Sequence, residues 1–194
     1  FGHGGIGLKC LLYYSFNYNI PPNAPHRPFV TCDLLDAAPE CQVCAPNIEG
    51  KRFFGYGGHQ AFGGEVVTVK CFEDNSRVKE LLATNGQSPD GRGKVLVVDG
   101  GASMRCALLG DMIAQSAVDN GWAGVIVYGC VRDVDDLATM LIGVQALGST
   151  PRKSNRQGVG ETNVTLSFGG MTLTSGMFVY ADNNGIIVSD KALV

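Results

Sequence analysis

Residues 94–128 carry the feature that most limits what this chain can fold into: a strand, a helix and a second strand in close succession. Lys94 to Val98 is a largely apolar run, which predicts a strand covered on both faces. Gly110 to Asp119 has apolar residues at helical spacing and is followed by Asn120-Gly121, a pair typical of a helix C-terminus. Gly124 to Tyr128 follows as a second buried strand, so the run predicts a right-handed βαβ unit at the centre of an α/β fold. The helix residues expected to face inward are Met112, Ile113, Ala114, Ala117 and Val118.

Further elements flank this centre. Val66 to Cys71 favours a strand, and Ser76 to Leu82 favours a short helix. Ser149 to Glu161 is rich in basic and small polar residues and is expected to be a solvated loop. The last third is β-rich, and its short runs separated by Gly, Asn and Asp favour an antiparallel meander. These runs are Val164 to Phe168, Met171 to Leu173, Phe178 to Tyr180 and Gly185 to Val188.

Length and composition favour one domain and argue against two classes of partner. The chain has 194 residues, of which 45% are hydrophobic and 17% charged, enough for one substantial core. A net charge of −3 gives no basic face, so direct binding to nucleic acid is not expected. The longest apolar stretches are far shorter than the roughly 20 residues of a membrane-spanning helix, so no membrane partner is expected.

The cysteines and the first residues bear on compartment and domain limits. Seven cysteines are scattered through apolar segments, a pattern that favours reduced, buried thiols and a cytoplasmic location. Residues 1–28 mix Gly, Tyr, Asn and Pro and are interpreted as an irregular N-terminal leader. The folded domain is therefore expected to span residues 29–194.

Two strand exits in the βαβ unit carry polar residues. Asp99 to Ser103 follows the first strand and leads to Leu109-Gly110-Asp111-Met112, and Arg132-Asp133 follows the second strand. Ligands of open α/β sheets gather outside the carboxyl ends of the strands, where both segments are expected to lie. A glycine just before a helix lets free N–H groups face an anion, so residues Gly110 to Ile113 are candidates to bind a carboxylate.

Asp111, Arg132 and Asp133 have side chains suited to metal-assisted chemistry. A guanidinium can form bidentate hydrogen bonds with a carboxylate or with an enolate oxygen, and a carboxylate can bind a hydrated Mg²⁺. From the residues alone, however, an Arg-Asp pair after a strand is more often a surface ion pair or a helix cap.

Other candidate residues have structural alternatives. Asp74-Asn75 lies at a predicted strand end and either lines the pocket or caps the following helix. Cys41 and Cys44 have metal-like spacing, but no second cysteine pair accompanies them. His59 lies in a glycine-rich segment and is interpreted as a loop residue. The polar residues interpreted as turn-stabilising are Glu161, Asp182 and Asn183.

The run KVLVVDGGASMRCALLGDMIAQSAVDNGWAGVIVYGCVRDVDD at residues 94–136 resembles the regulators of ribonuclease E activity A, or RraA proteins, and their aldolase relatives. The similarity extends from about Thr31 to Val194 and includes FGGEVVTVKCFEDN, GVGETNVTLSFGG and YADNNGIIVSD. It implies a single-domain β/β/α sandwich of the swivelling type, with a central βαβ unit and a β-rich C-terminal part. It also implies assembly as a homotrimer.

Aldolase-competent members of that family resemble this chain in having an Asp, 20 intervening residues and then Arg-Asp. Asp111 and Arg132-Asp133 match that spacing, because residues 112–131 number 20. The resemblance implies a class II lyase that uses Mg²⁺ or Mn²⁺ to cleave 4-hydroxy-4-methyl-2-oxoglutarate or to decarboxylate oxaloacetate, releasing pyruvate. Asp133 would bind the metal, Arg132 the pyruvyl end, and Asp111 would orient or activate a metal-bound water. The substrate-binding set would be Gly110, Asp111, Met112, Ile113, Arg132 and Asn75.

Two other functions follow from the same resemblance. The first is a non-catalytic regulator that binds and inhibits a ribonuclease E-like enzyme. The second is methylation of a menaquinone precursor, which is less favoured because no strand here leads into a Gly-x-Gly-x-Gly segment for the methyl donor. One departure from the family is Ser175-Gly176-Met177, where many aldolase relatives carry Pro-Gly-Asp.

Overall fold

The computed structural model describes residues 28–48 and 50–194, so nearly all of the predicted leader at residues 1–28 lies outside the described residues. The described chain forms a mixed α/β domain built on a large sheet. Its helices are α1 (Thr31–Ala37), α2 (Ser76–Leu82), α3 (Asp111–Asp119) and α4 (Val134–Leu137). Its strands are β1 (Gln42–Val43), β2 (Phe54–Gly55), β3 (Phe62–Lys70), β4 (Val95–Asp99), β5 (Ala107–Leu109), β6 (Gly124–Val131), β7 (Gly143–Ser149), β8 (Glu161–Thr162), β9 (Leu166–Phe168), β10 (Met171–Leu173), β11 (Phe178–Ala181) and β12 (Ile186–Ser189).

The large sheet has ten strands in the order β1-β12-β11-β3-β4-β6-β7-β2, with β5 added beside β6 and β8 beside β3. Strands β3, β4, β6 and β7 are parallel neighbours, and the remaining pairs on the main path are antiparallel. Helices α2, α3 and α4 pack on one face of the sheet. The separate β9–β10 hairpin packs against the other face. This arrangement confirms the predicted single-domain α/β fold.

Hydrophobic burial explains why the central strands are where the sequence predicts them. Val95 to Val98 are 0% exposed, because the helices cover one face of β4 and the hairpin side covers the other. Helix α2 matches its predicted bounds, and Gly121 ends α3 with a φ of +78°, a conformation that suits glycine. Strand β6 continues past Tyr128 to Val131, so Arg132 and Asp133 follow the strand directly.

Two expectations about local structure were wrong. Met112 was expected to face inward but is 80% exposed, because it lies in the first turn of α3 on the side away from the sheet. The C-terminal strands do not form one meander, since β9 pairs only with β10 while β11 pairs with β12 and β3. The elements that were not predicted are α1, α4, β1, β2, β5, β7 and β8. The segment from Ser149 to Glu161 is largely exposed, as expected.

Ser175, in the segment expected from the sequence to depart from the family pattern, contacts β3. Its hydroxyl donates to the side-chain oxygen of Asn163 at 2.9 Å and accepts the backbone N–H of Thr68 at 3.3 Å. Thr68 lies in β3, two residues before the last residue of the strand, Lys70. The contacts of Ser175 with Thr68 and Asn163 involve none of Gly110, Asp111, Arg132 and Asp133.

Asp182 ties the first helix to the turn between β11 and β12. It is 7% exposed, and its carboxylate accepts the backbone N–H of Thr31 at 2.9 Å, the hydroxyl of Thr31 at 2.7 Å and the N–H of Asn184 at 2.7 Å. Burial acts to raise the pKa of this carboxyl, but the hydrogen bonds from Thr31 and Asn184 outweigh it and the pKa is lowered. The prediction that Asp182 stabilises its turn is confirmed, and the same carboxylate also binds the start of α1.

Replacing Asp182 with alanine is expected to destabilise the protein by about 3 kcal/mol, because buried donors lose a charged acceptor. In a chain of this size that corresponds to a fall in melting temperature of roughly 6–12 °C. The contribution is present above the ordinary Asp pKa of about 3.9 and is lost as the pH falls through the lowered folded-state pKa. Thermal unfolding between pH 7 and pH 3 tests this, with the exposed Asp190→Ala as control. An equal effect of the two substitutions at pH 7 would contradict it.

Candidate active site

The predicted site residues meet at the carboxyl edge of the parallel strands. Strand β5 ends at Leu109 and leads through Gly110 into α3, while β6 ends at Val131 and leads into α4. The two strands are paired, with Leu109 beside Val131, and the N–H of Arg132 donates to the carbonyl of Leu109 at 2.9 Å. Residues 110–113 and the Arg132-Asp133 pair are therefore neighbours, although 18 residues separate Ile113 from Arg132 in sequence.

Gly110 is required by close packing rather than by its backbone angles. Its φ of −142° is extended, a conformation open to any residue. A Cβ at this position would lie 2.6 Å from Oδ2 of Asp133 and 2.9 Å from Cγ of Arg132. Any side chain here would push the Arg132-Asp133 pair away from the start of α3.

Asp133 is the centre of the polar contacts. Its Oδ2 accepts the Nε–H of Arg132 at 2.9 Å and the backbone N–H of Asp111 at 3.3 Å. The Arg132 side chain is 30% exposed and the Asp133 side chain 23%, so both are partly shielded yet reachable from solvent. Because the Arg132 contact uses Nε, its two terminal nitrogens stay available for another anion.

Hydrogen bonds and opposite charge favour the ionised forms of Arg132 and Asp133. The hydrogen bond from the Arg132 guanidinium is the main reason that the pKa of the Asp133 carboxyl is lowered, and the backbone and side chain of Asp111 lower it further. Asp133 in turn raises the pKa of Arg132 through their hydrogen bond, with a smaller contribution from the charge of Asp111. At neutral pH the site therefore holds an ionised Asp133 beside a permanently cationic Arg132.

Helix α3 offers free backbone donors next to this pair. Ala114 donates to the carbonyl of Gly110 at 3.0 Å in the first turn, so the N–H groups of Met112 and Ile113 are not used within the helix. The helix dipole adds partial positive charge at the same end. Met112 contributes only its backbone N–H to this group of donors, because its side chain is exposed to solvent. The side chain of Ile113 is buried in the core. A carboxylate bound here would face both the amides and Arg132.

Backbone strain is concentrated along this edge. Four non-glycine residues of the described chain have a positive φ, and three of them follow the parallel strands: Glu73 (+57°) after β3, Ala102 (+54°) after β4 and Asp133 (+55°) after β6. Such conformations cost energy and persist where the surrounding structure holds them, often at functional sites. Sequence reasoning did not predict these backbone conformations.

Asn75 is placed at the same edge and does not act as a helix cap. It occupies the position before α2, but its side chain makes no capping bond. Asp74 satisfies that end instead, accepting the N–H of Ser76 at 2.9 Å, and its other oxygen accepts the N–H of Gln157 at 2.6 Å. Asn75 is 7% exposed, and its Oδ1 has no hydrogen-bond partner within residues 28–48 and 50–194.

A second polar cluster at this edge was missed by sequence reasoning. Oε1 of Glu73 accepts the hydroxyl of Ser103 and the Nε–H of Arg105, each at 2.6 Å. The hydrogen bond from Arg105, followed by that from Ser103, lowers the pKa of Glu73. The position of Glu73 directly after a strand was the available signal, but its partners lie about 30 residues away and only the fold joins them.

The donor set fits a cation that keeps most of its water. No group of three or more His, Cys, Asp or Glu side chains in the described ranges is placed to share a metal ion, and this holds for Cys41 and Cys44 as well. Mg²⁺ is commonly held by one or two carboxylates, with water and substrate as its other ligands. Asp133 fits that role through Oδ1, since both donors to this carboxylate approach Oδ2, and Asp111 lies beside it.

Two surface cavities lie away from the acid–arginine–acid set. A cavity of about 750 Å³ lies at the opposite, amino edge of the sheet, where His59, Phe62 and Trp122 are among its lining residues. A second cavity, of about 510 Å³, lies between α2 and β8. Neither is lined by Gly110, Asp111, Arg132 or Asp133, and His59 is far from the acid–arginine–acid set.

Comparison with known proteins gives one family and several functional names. The sequence model of the family described as RraA-like (Aldolase/RraA) matches residues 31–188. A protein of Acinetobacter baylyi, whose name gives it provisionally as a 4-hydroxy-4-methyl-2-oxoglutarate aldolase, is 62% identical over 169 residues, covering 86% of this chain and 96% of that protein.

Two solved structures are similar over most of their length. One is named an S-adenosylmethionine:2-dimethylmenaquinone methyltransferase from Geobacillus kaustophilus. It is 44% identical with a TM-score of 0.77, and the match covers 85% of this chain and 97% of that one. The other is named the RNA-processing inhibitor RraA from Thermus thermophilis. It is 40% identical with a TM-score of 0.76, and the match covers 84% of this chain and 93% of that one. The similar proteins thus carry names of an aldolase, a methyltransferase and an inhibitor.

Proposed function

Because this chain belongs to the RraA-like family, we propose that it is a divalent-metal-dependent carbon–carbon lyase that cleaves 2-oxo acids and releases pyruvate. The expected substrates are 4-hydroxy-4-methyl-2-oxoglutarate, cleaved in a retro-aldol reaction, and oxaloacetate, which is decarboxylated. The single observation that carries the proposal is the convergence of Asp111, Arg132 and Asp133 around Gly110 at the carboxyl edge of the sheet.

The chain's own groups suit the binding of a 2-oxo acid. The N–H groups of Met112 and Ile113 would hold the substrate carboxylate at the start of α3, where the helix dipole favours negative charge. The terminal nitrogens of Arg132 would contact the oxo oxygen, and Asn75 would contact a more distant part of the substrate. Arg132 is held in place by Asp133, so little side-chain freedom is lost on binding.

In both reactions the C3–C4 bond breaks and its electron pair stays on C3, which gives the enolate of pyruvate. Negative charge grows on the former oxo oxygen, and the Arg132 guanidinium is placed to neutralise it, a role typically worth about 3–4 kcal/mol. A Mg²⁺ or Mn²⁺ ion held by Asp133 would supply Lewis-acid stabilisation of the same oxygen. In the retro-aldol reaction a water oriented by Asp111 would accept the proton of the 4-hydroxyl group as C4 becomes the carbonyl carbon of the second pyruvate, and would then donate a proton to C3. In the decarboxylation C4 leaves as CO2, and the same water would relay a proton from solvent to C3.

Purified protein is expected to release pyruvate from oxaloacetate and from 4-hydroxy-4-methyl-2-oxoglutarate in the presence of Mg²⁺, and to lose this activity in EDTA. A lactate dehydrogenase-coupled assay measures the pyruvate, and oxaloacetate with Mg²⁺ but without protein gives the background rate. The absence of metal-dependent release above background from both substrates would overturn the proposal.

A second candidate function is inhibition of an RNA-processing enzyme, favoured by the similarity to the structure named RraA. It predicts binding to a ribonuclease E-like partner that survives the substitution Asp133→Asn. A methyltransferase function has less support, because this chain contains no strand that leads into a methyl-donor motif, although the similar Geobacillus structure is named a methyltransferase.

We also propose that the protein assembles as a homotrimer and is located in the cytoplasm. The described residues contain no helix that is long and apolar enough to span a membrane.

A further inference from the structure

Two buried polar atoms near the proposed site lack partners within residues 28–48 and 50–194. They are the hydroxyl oxygen Oγ of Ser154 and the amide oxygen Oδ1 of Asn75. Leaving a buried polar atom unpaired costs free energy, and native structures contain few such atoms. Two such atoms in adjacent backbone segments point to a ligand group that pairs with both.

Hydrogen bonds bring these segments together. The N–H of Asn75 donates to the carbonyl of Asn155 at 3.2 Å, and the N–H of Asn155 donates to the carbonyl of Glu73 at 2.8 Å. On the other side, the N–H of Ala107 donates to the carbonyl of Arg152 at 2.9 Å. Ser154 therefore lies between the end of β3 and the start of β5, the strand that leads into Gly110.

The neighbouring helices set the distance to the proposed pyruvyl site. Helices α2 and α3 both begin at the carboxyl edge, and they lie side by side, since the hydroxyl of Ser116 and the amide of Asn120 contact the carbonyl of Leu82. Packed helix axes typically lie about 8–10 Å apart, and the span between Asn75, before α2, and Gly110, before α3, is taken to be of this order. A five-carbon 2-oxo acid with its hydrogen bonds is long enough to reach across it.

The chemistry of the two atoms selects the kind of group that they bind. A serine hydroxyl can donate, and a side-chain amide oxygen accepts, so a single alcohol group satisfies both by accepting from Ser154 and donating to Asn75. We propose that Ser154 and Asn75 form a subsite for the 4-hydroxyl group of the substrate, so that the protein selects hydroxylated 2-oxo acids. This inference rests on the proposed lyase function and adds a specificity determinant to it.

The test compares two substrates that differ at this group. Oxaloacetate has no 4-hydroxyl, so Ser154→Ala is expected to lower the ratio of kcat/KM for 4-hydroxy-4-methyl-2-oxoglutarate to kcat/KM for oxaloacetate by about tenfold, the effect of one lost hydrogen bond. Ser154→Thr keeps the hydroxyl and is expected to restore the ratio. Ser167→Ala, in the remote β9–β10 hairpin, is the matched control and is expected to leave both rates unchanged.

The possible outcomes distinguish a failure of the proposed subsite from a failure of the proposed lyase function. An unchanged ratio in Ser154→Ala, whether both rates fall together or neither falls, would mean that Ser154 serves the fold or a bound water, and would overturn the subsite while the lyase stands. If the wild-type protein cleaves neither substrate, the lyase proposal fails and the subsite fails with it. A tenfold loss of the ratio that threonine reverses would support the subsite.

Discussion

Replacing Asp133 with asparagine is expected to lower metal-dependent pyruvate release by about three orders of magnitude, because a metal ion acting as Lewis acid contributes several kcal/mol to such reactions. The amide keeps the size of the carboxylate and can still accept the N–H of Asp111. The backbone φ of Asp133 is +55°, a conformation that asparagine also adopts readily, so the fold is expected to persist. The substitution therefore removes the charge that would hold the cation while disturbing the local structure little.

The measurement is the coupled pyruvate assay across a range of Mg²⁺ concentrations, together with calorimetric titration of Mg²⁺ into the protein. Asp119→Asn is the matched control, since it makes the same chemical change at an exposed position at the other end of α3. Turnover by Asp133→Asn within tenfold of the wild type, at saturating Mg²⁺, would remove this carboxylate from the proposed mechanism.

The conservative substitution Arg132→Lys is expected to lower kcat about 100-fold, equivalent to about 2.7 kcal/mol. The guanidinium contacts Asp133 through Nε and would present its terminal nitrogens to the substrate, whereas an ammonium group is a single point charge that cannot make both contacts in the same geometry. Because the charge is kept, a loss of this size would be assigned to geometry and not to electrostatic attraction alone.

Steady-state kinetics on oxaloacetate measures this effect, and circular dichroism reports on the fold. Arg92→Lys is the control, because Arg92 forms an exposed ion pair with Asp90 at the amino edge, far from the proposed site. The enolate-stabilising role predicts that kcat falls more than KM rises. A rise in KM with kcat unchanged would instead assign Arg132 to substrate binding alone.

Much of the fold was predictable because its signals are local. The apolar run of β4, the periodicity of α2 and the Asn120-Gly121 end of α3 are each set by a few adjacent residues, and each was predicted within a residue or two of its observed bounds. The three-residue strand β5 and the seven-residue strand β7 were not predicted. Residues 107–109 form a strand only because β6 offers its edge there, and no pattern in three residues can specify a partner.

The candidate site, like the fold, was predictable only where its signals are local in sequence. The spacing of Asp111 from Arg132-Asp133 and the glycine before α3 were visible in the sequence, and so was the expectation that strand exits meet at one edge. The side chain of Met112 was expected inside and is exposed, because helical periodicity does not say which face of the first turn meets the sheet. The Glu73–Ser103–Arg105 cluster joins residues about 30 positions apart, and no local pattern announces it.

The sequence by itself determined the α/β class, the family and the residue types at the strand exits, because hydrophobic periodicity and motif spacing act over short stretches of chain. Only the tertiary structure decided that Gly110 has no room for a side chain beside Asp133, and that the amide oxygen of Asn75 and the hydroxyl of Ser154 are buried without partners in the described chain. These facts depend on contacts between segments far apart in sequence, and such contacts exist only once the sheet has assembled.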